Sequence, residues 1–129
     1  MRKVLRIIKH YWQRLKRGWS DEDILNLDIF LSRLIADTIR AFRKKSYFFC
    51  PPGFKSPEEW KRCLIKIEES FRVAEKVAKG DIVYIPSNEK EKIRKMSKVR
   101  GLKVLSIKEA KKFEEGLTLF IKNFHYLWI

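Results

Sequence analysis

The chain has 129 residues, with 45% hydrophobic and 36% charged side chains and a formal net charge of +14. This length and apolar content predict one domain, residues 1–129, built around a single core. The longest stretch without a charge, Ser46 to Phe54, is far shorter than the run of about 20 consecutive apolar residues that a membrane-spanning helix needs. The cations near the start leave no secretory signal, so we expect a cytoplasmic protein.

The first predicted element is a basic amphipathic helix that ends at Gly18. Helical spacing places five apolar residues on one face, where we expect them to help close the core: Val4, Ile8, Tyr11, Trp12 and Leu15. The other faces carry seven cations and no acid: Arg2, Lys3, Arg6, Lys9, Arg14, Lys16 and Arg17. Half of the net charge therefore lies in this segment.

A second helix is predicted to start after Ser20 and to stop near Lys45. Ser20 is a favourable N-cap, and Trp19 before it is placed to pack on Ile24. The first turn carries three acids where the helix dipole favours negative charge: Asp21, Glu22 and Asp23. Apolar residues at spacings of three and four predict the core face: Ile24, Leu27, Leu31, Leu34, Ile35, Ile39 and Phe42.

Three aspartates near this helix start, Asp21, Asp23 and Asp28, have two interpretations. They bind a divalent cation, or they cap the helix and compensate its dipole. We favour the second, because Asp23 points away from the face that the other two share. Asp28 lies between apolar residues, and we expect it to pair with Arg14 or Arg17.

The segment from Ser46 to Phe54 is predicted to be an aromatic loop, because two prolines and a glycine forbid a regular helix. A third helix follows, with Ser56 as N-cap and Glu59 completing a capping box. Gly80 ends it. Its core stripe alternates steps of four and three: Trp60, Leu64, Ile67, Phe71, Ala74 and Ala78.

Residues 81–105 are predicted to be a variable basic insert. Two short β-branched runs, 81–85 and 102–105, indicate a small hairpin-like pair of strands around a lysine-rich helical stretch. The insert concentrates cations: Lys90, Lys92, Arg94, Lys95, Lys98, Arg100 and Lys103. A last helix starts at Ser106, which forms a capping box with Glu109, and runs to the end of the chain. The sequence therefore predicts a mainly α, single-domain bundle of about four helices.

Three blocks of this sequence resemble a family of small proteins encoded by tailed bacteriophages and prophages. They are Arg17-Gly18-Trp19-Ser20-Asp21-Glu22-Asp23 with Asn26-Leu27-Asp28, Pro57-Glu58-Glu59-Trp60 with Phe71, and Glu114-Glu115-Gly116-Leu117 with Leu119-Phe120, Phe124, Leu127 and Trp128. The chain departs from the family at Leu25, where members often have Trp, and at Ile129, where they often end in an acid. The resemblance implies a viral or prophage origin, a place in the host cytoplasm or the virion, and a mainly helical fold, but no biochemical activity.

Neither an enzyme nor a metal or cofactor site is expected. Cys50 and Cys63 stand thirteen positions apart, and His10 and His125 lie near opposite ends of the chain, unlike the ligands of a zinc site. We expect one buried cysteine and one loop cysteine. The sequence contains no nucleophile elbow, phosphate-binding glycine loop or zinc-hydrolase helix.

A binding role remains, and nucleic acid leads narrowly. The cations of the first helix and of residues 90–103 would neutralise the phosphates of DNA or RNA without reading sequence. The contrary interpretation is that Lys- and Glu-rich surfaces suit proteins of hot environments. The alternative partner is a phage or host protein, or a second copy, held by aromatic and apolar residues: Tyr47, Phe48, Phe49, Phe54, Tyr126, Trp128 and Ile129. The contrary interpretation is that these residues fill the core. An anionic membrane surface ranks last, because the apolar face of the first helix is expected in the core.

Overall fold

The structure is a computed structural model that describes residues 1–46 and 49–127. The chain is mainly helical, as predicted, with six α-helices in these ranges: α1 (Arg2–Arg17), α2 (Asp21–Leu25), α3 (Leu27–Lys45), α4 (Pro57–Ala78), α5 (Lys90–Ser97) and α6 (Ile107–Lys122). A short 3₁₀ turn, Phe124–Tyr126, follows α6. None of the described helices is long and apolar enough to cross a membrane.

The core is built by three helices, because α4 packs against both α3 and α6. Trp60, Leu64 and Ile67 of α4 are fully buried, and Ile39 and Cys63 complete their cluster. The centre of the stripe predicted for this helix is thus confirmed. The predicted place of the first helix in the core is wrong, since α1 has no buried residue.

Gly116 lets α4 and α6 approach each other closely. A Cβ atom at this position would overlap the Ser70 hydroxyl and lie 2.6 Å from the Lys66 carbonyl oxygen of α4. Beside it, the Lys66 ammonium lies 3.0 Å from the Glu115 carboxylate. Glycine is therefore required here by the neighbouring helix, because packed interiors leave no room for an additional carbon.

Serine caps α2, α4 and α6, as predicted. Ser20 and Ser106 form complete capping boxes. Ser56 accepts the Glu59 N–H at 3.2 Å, but the Glu59 carboxylate accepts the N–H of Lys55 at 2.7 Å instead of that of Ser56. The capping box predicted for α4 is thus only half formed.

The predicted second helix is divided in two at Asn26. The backbone angles of Asn26, φ −124° and ψ 51°, are not helical. Its side-chain amide donates to the Glu22 carbonyl oxygen at 3.4 Å. Asparagine competes in this way with regular helical hydrogen bonding, so α2 ends after five residues.

The face of α3 that enters the core agrees with the prediction at Ile35, Ile39 and Phe42 but differs from it in the first half of the helix. Ser32, Ala36 and Ile39 are its buried residues. Residues of the predicted stripe are exposed instead: Ile24, Leu27, Leu31 and Leu34. The small side chains at positions 32 and 36 allow α4 to pack closely, and the leucines fall on the neighbouring sector of α3.

Residues 81–105 do not form the predicted hairpin-like insert. Val83 and Val104 make an isolated bridge, and it is parallel. A parallel pair needs a crossover connection, which α5 provides. Glu114 of α6 fastens the segment, because its carboxylate accepts the Tyr84 hydroxyl at 2.6 Å and the Ser87 N–H at 2.9 Å.

The last helix ends at Lys122 and does not continue to the end of the chain, contrary to the prediction. Asn123 is only 5% exposed, and its side-chain amide donates to the Leu119 carbonyl oxygen at 3.0 Å. This capping contact of the last turn precedes the 3₁₀ turn.

Candidate interaction surfaces

α1 is held to α2 by its charged face. Arg14 donates from Nε and Nη2 to the two carboxylate oxygens of Asp23, at 2.9 and 2.6 Å. Gln13 donates to Asp21 at 2.9 Å and accepts the backbone N–H of the same residue at 2.9 Å. Other ion pairs join the same two elements: Arg17–Asp21 at 2.6 Å, Arg6–Glu22 at 2.9 Å and Lys9–Asp21 at 3.7 Å. Cations predicted to meet phosphate therefore meet the acidic start of α2.

Asp23 is the centre of this contact, with 5% of its surface exposed. Its carboxylate accepts the Ser20 backbone N–H at 2.8 Å. The Arg14 guanidinium, with smaller help from Ser20, holds the pKa of the Asp23 carboxyl well below its usual range, although burial acts in the opposite direction. Asp23 is thus ionised at neutral pH, and Arg14 faces a full negative charge.

The pairing predicted for Asp28 is wrong. Asp28 is exposed, and its carboxylate accepts the neighbouring Ile29 N–H at 2.9 Å. Arg14 and Arg17 are paired with Asp23 and Asp21 instead. Spacing along the chain did not reveal that α1 folds back over the first turn of α2, which brings the earlier aspartates within reach.

The turn between α1 and α2 explains the first block of the family resemblance. Gly18 ends α1 with φ 85°, a left-handed conformation that favours glycine. The Arg17 guanidinium lies 3.7 Å from the centroid of the Trp19 ring and donates to the Trp19 carbonyl oxygen at 2.9 Å. Ile24, the predicted contact of Trp19, is 52% exposed. The residues of this block therefore hold α1 against α2.

A contact between His10 and Ser20 was missed in the sequence. The Ser20 hydroxyl lies 2.6 Å from His10 Nδ1, and a Glu22 carboxylate oxygen lies 3.6 Å from the same nitrogen. In a serine triad the hydroxyl and the acid meet opposite nitrogens of the ring. Ser20 is also fully buried and already caps α2. The contact is another tie between α1 and α2.

The apolar face of α1 points away from these contacts. Its side chains are largely exposed, at 58% for Val4, 58% for Ile8, 65% for Tyr11, 56% for Trp12 and 81% for Leu15. The prediction that this face closes the core is therefore wrong. An anionic membrane surface ranked last because this face was expected in the core, and that reason no longer holds.

Exposed apolar side chains concentrate in the N-terminal part of the chain. Among the described residues, seventeen large hydrophobic side chains are exposed, and fourteen of them belong to residues 1–34. They include Ile24, Leu25 and Leu31, at 52%, 81% and 41% exposed. Scattered exposed apolar residues are normal, but a continuous apolar helix face is a candidate interaction surface.

A second surface is formed by α5 and the residues after it. Ile93 is the buried residue of α5. The cations predicted for this segment are all exposed, and no ion pair in the described part of the chain includes any of them: Lys90, Lys92, Arg94, Lys95, Lys98, Arg100 and Lys103. We call these seven residues the α5 basic surface.

The described aromatic residues of the predicted protein-interaction surface pack inward. Phe54, Phe49 and Tyr126 surround the buried Trp60 ring, with ring centroids 5.0, 6.4 and 6.5 Å away. Four members of that surface lie outside the described residues: Tyr47, Phe48, Trp128 and Ile129. What is described of the surface therefore belongs to the core.

The cysteines are placed as predicted, since Cys63 is buried and Cys50 is half-buried in the loop. Burial raises the pKa of the Cys63 thiol. Within residues 1–46 and 49–127, no three side chains of His, Cys, Asp or Glu come together in a way that could hold a metal ion.

No protein-family model matches this sequence, and comparisons with curated proteins and with solved structures found no significant match. The resemblance to small phage proteins therefore stays a prediction that rests on the three sequence blocks.

Proposed function

We propose that this protein is a non-enzymatic binding protein that associates with nucleic acid through the α5 basic surface, without reading base sequence. The observation that supports this most directly is that the seven cations of the α5 basic surface are exposed and make no ion pair within the described residues. Lys92, Lys95 and Lys98 recur every three residues. Lys95 lies on the side of α5 opposite Ile93, Lys92 lies at the flank of that side, and Lys98 is the C-cap that follows the helix. Such a face suits a row of phosphates, and phosphate contacts give affinity without sequence preference.

The cations of α1 contribute less to this proposal than the sequence suggested. Arg6, Arg14 and Arg17 are paired with acids of α2. Binding a phosphate there would require breaking an existing ion pair. Arg2, Lys3 and Lys16, which make no ion pair within the described residues, supplement the α5 basic surface but do not replace it.

The test is fluorescence anisotropy with labelled double-stranded DNA, single-stranded DNA and RNA between 50 and 200 mM salt. If three phosphate contacts come from Lys92, Lys95 and Lys98, changing all three to Glu should lower the slope of log K against log salt by about 3 on duplex DNA. The matched control changes three exposed cations of α3 to Glu: Arg40, Lys44 and Lys45.

Both triple variants have the same net charge, so the comparison separates a local surface from overall charge. The proposal predicts a large loss for the α5 variant and a small loss for the α3 variant. Equal losses would show that only net charge matters, and absence of binding at 50 mM salt would reject nucleic acid as the partner.

A further inference from the structure

The exposed face of α1 is held outward by the rest of the chain. The ion pairs of Arg14 with Asp23 and of Arg17 with Asp21 fix the charged side of the helix against α2. The opposite side carries Val4, Ile8 and Leu15 along its centre. Neither the core nor the α5 basic surface uses this face, so its role is separate from nucleic-acid binding.

We propose that α1 lies flat on an anionic lipid surface, with this face in the headgroup region. A surface-bound helix of this kind combines a broad apolar face, a strongly basic opposite face and low overall hydrophobicity. Tyr11 and Trp12 sit on the apolar face and are 65% and 56% exposed. Their rings are apolar with a polar edge, which suits the boundary between headgroups and acyl chains.

The charge of α1 favours an anionic lipid surface over a second copy of the chain as the partner of the exposed apolar face. Four of the seven cations of α1 are paired with acids of α2, whereas Arg2, Lys3 and Lys16 make no ion pair within the described residues. Arg2 and Lys16 lie with Lys9 along one edge of the apolar face, at a spacing of seven residues. Pairing two such faces would set like charges against each other, whereas an anionic headgroup layer attracts these cations. The nearby acids Asp21 and Asp23 already bind arginines of α1, so they offer a second copy little compensation.

The experiment measures binding of the purified protein to vesicles of phosphatidylcholine alone and of phosphatidylcholine with 30% phosphatidylglycerol. We expect at least about tenfold tighter binding to the anionic vesicles, because several cations lie near the surface. Leu15→Gln should weaken this binding by about tenfold, since it removes one apolar anchor. Leu15 is 81% exposed, so the substitution leaves the folded core intact.

Ile121→Gln is the matched control, because Ile121 is 76% exposed but lies on α6. It should change vesicle binding less than twofold. Wild-type protein should show a blue shift of tryptophan emission on anionic vesicles, and Trp12→Phe should abolish the shift while most binding is retained. This readout separates insertion of α1 from attraction of other cations to the vesicle.

Equal effects of Leu15→Gln and Ile121→Gln, or equal binding to both vesicle types, would overturn the proposal. A wild-type dimer that Leu15→Gln converts to a monomer, measured by sedimentation velocity without lipid, would overturn it in favour of a second copy. Failure to bind either vesicle would also overturn the proposal, and the partner of the exposed face would then be a protein with an acidic, apolar groove.

Discussion

Replacing Gly116 with alanine tests the close crossing of α4 and α6. The new Cβ would overlap the Ser70 hydroxyl and lie 2.6 Å from the Lys66 carbonyl oxygen, where 3.4–4 Å is ordinary contact. The Ser70 hydroxyl can rotate away, but the Ser70 Cβ, 2.5 Å from the new atom, and the Lys66 carbonyl oxygen are both fixed by the α4 backbone. The two helices must therefore move apart by roughly an ångström, which loosens the packing along their contact.

The expected cost follows from two opposing effects. Overpacking a well-filled interior costs about 1–3 kcal/mol, and a clash with backbone belongs at the upper end of that range. Alanine returns up to about 1 kcal/mol through its better helix propensity. We expect the free energy of unfolding to fall by about 2 kcal/mol and Tm to fall by about 5–10 °C.

Urea unfolding followed by circular dichroism measures this loss. Adding Ser70→Ala to the Gly116→Ala variant removes the overlapping hydroxyl but keeps the Ser70 Cβ and the Lys66 carbonyl oxygen in place, so it should recover no more than about a quarter of the lost stability. Ser32→Ala, at a buried serine of α3, is the control and should recover none. A Gly116→Ala protein as stable as the wild type would refute the close crossing, since helix propensity would then dominate.

Two further predictions concern charged contacts. Asp23→Asn should speed the hydrogen exchange of α1 amides about tenfold at pH 7 and leave the exchange of α4 unchanged, because it removes the ionised partner of Arg14. The Arg14 side chain is 40% exposed, which limits the size of the effect. The folded-state pKa of Asp23 is lowered, so this contribution is complete above the unfolded pKa of about 3.9 and declines as pH falls below it. The protection of α1 amides, taken relative to the unfolded chain at the same pH, should therefore fall between pH 5 and 2.5, and constant protection would contradict the assignment. Burial, with the hydrogen bond to Glu114, raises the pKa of Tyr84 to about 12, so its contribution is complete below pH 10 and is lost as pH rises through about 12. Tyr84→Phe should be about 1 kcal/mol less stable than wild type at pH 9 and should lose that disadvantage near pH 11 in urea titrations, whereas a difference independent of pH would argue against the contact.

The helix starts could be predicted because their causes are local. Ser20, Ser56 and Ser106 each accept a backbone N–H three residues later, and that preference is visible in the sequence. The stripe that begins at Trp60 was equally clear, because α4 is covered by two other helices and its apolar spacing matches its buried face. The third resemblance block includes Gly116. The requirement for glycine there comes from the close approach of α4, which the sequence does not show.

The face of α1 and the first half of the core face of α3 could not be predicted, because they depend on which elements meet in space. α3 buries Ser32 and Ala36, whose small size matters only against α4. α1 has a clear apolar face, and hydrophobicity alone predicts that such a face is buried. The short acidic α2 binds the basic face instead, through Asp23, which chain spacing did not distinguish from Asp28.

The reactivity of introduced cysteines tests the orientation of α1 most directly. In a protein with Cys50→Ser and Cys63→Ala, single cysteines are placed at Leu15 or at Gln13, on opposite faces of α1, and their maleimide labelling is compared with that of the urea-unfolded chain. Leu15 is 81% exposed, so Leu15→Cys should label at close to the unfolded rate, while Gln13→Cys, which faces Asp21, should label several-fold more slowly. Protection of Leu15→Cys with rapid labelling of Gln13→Cys would show that the apolar face is buried, and would contradict the account.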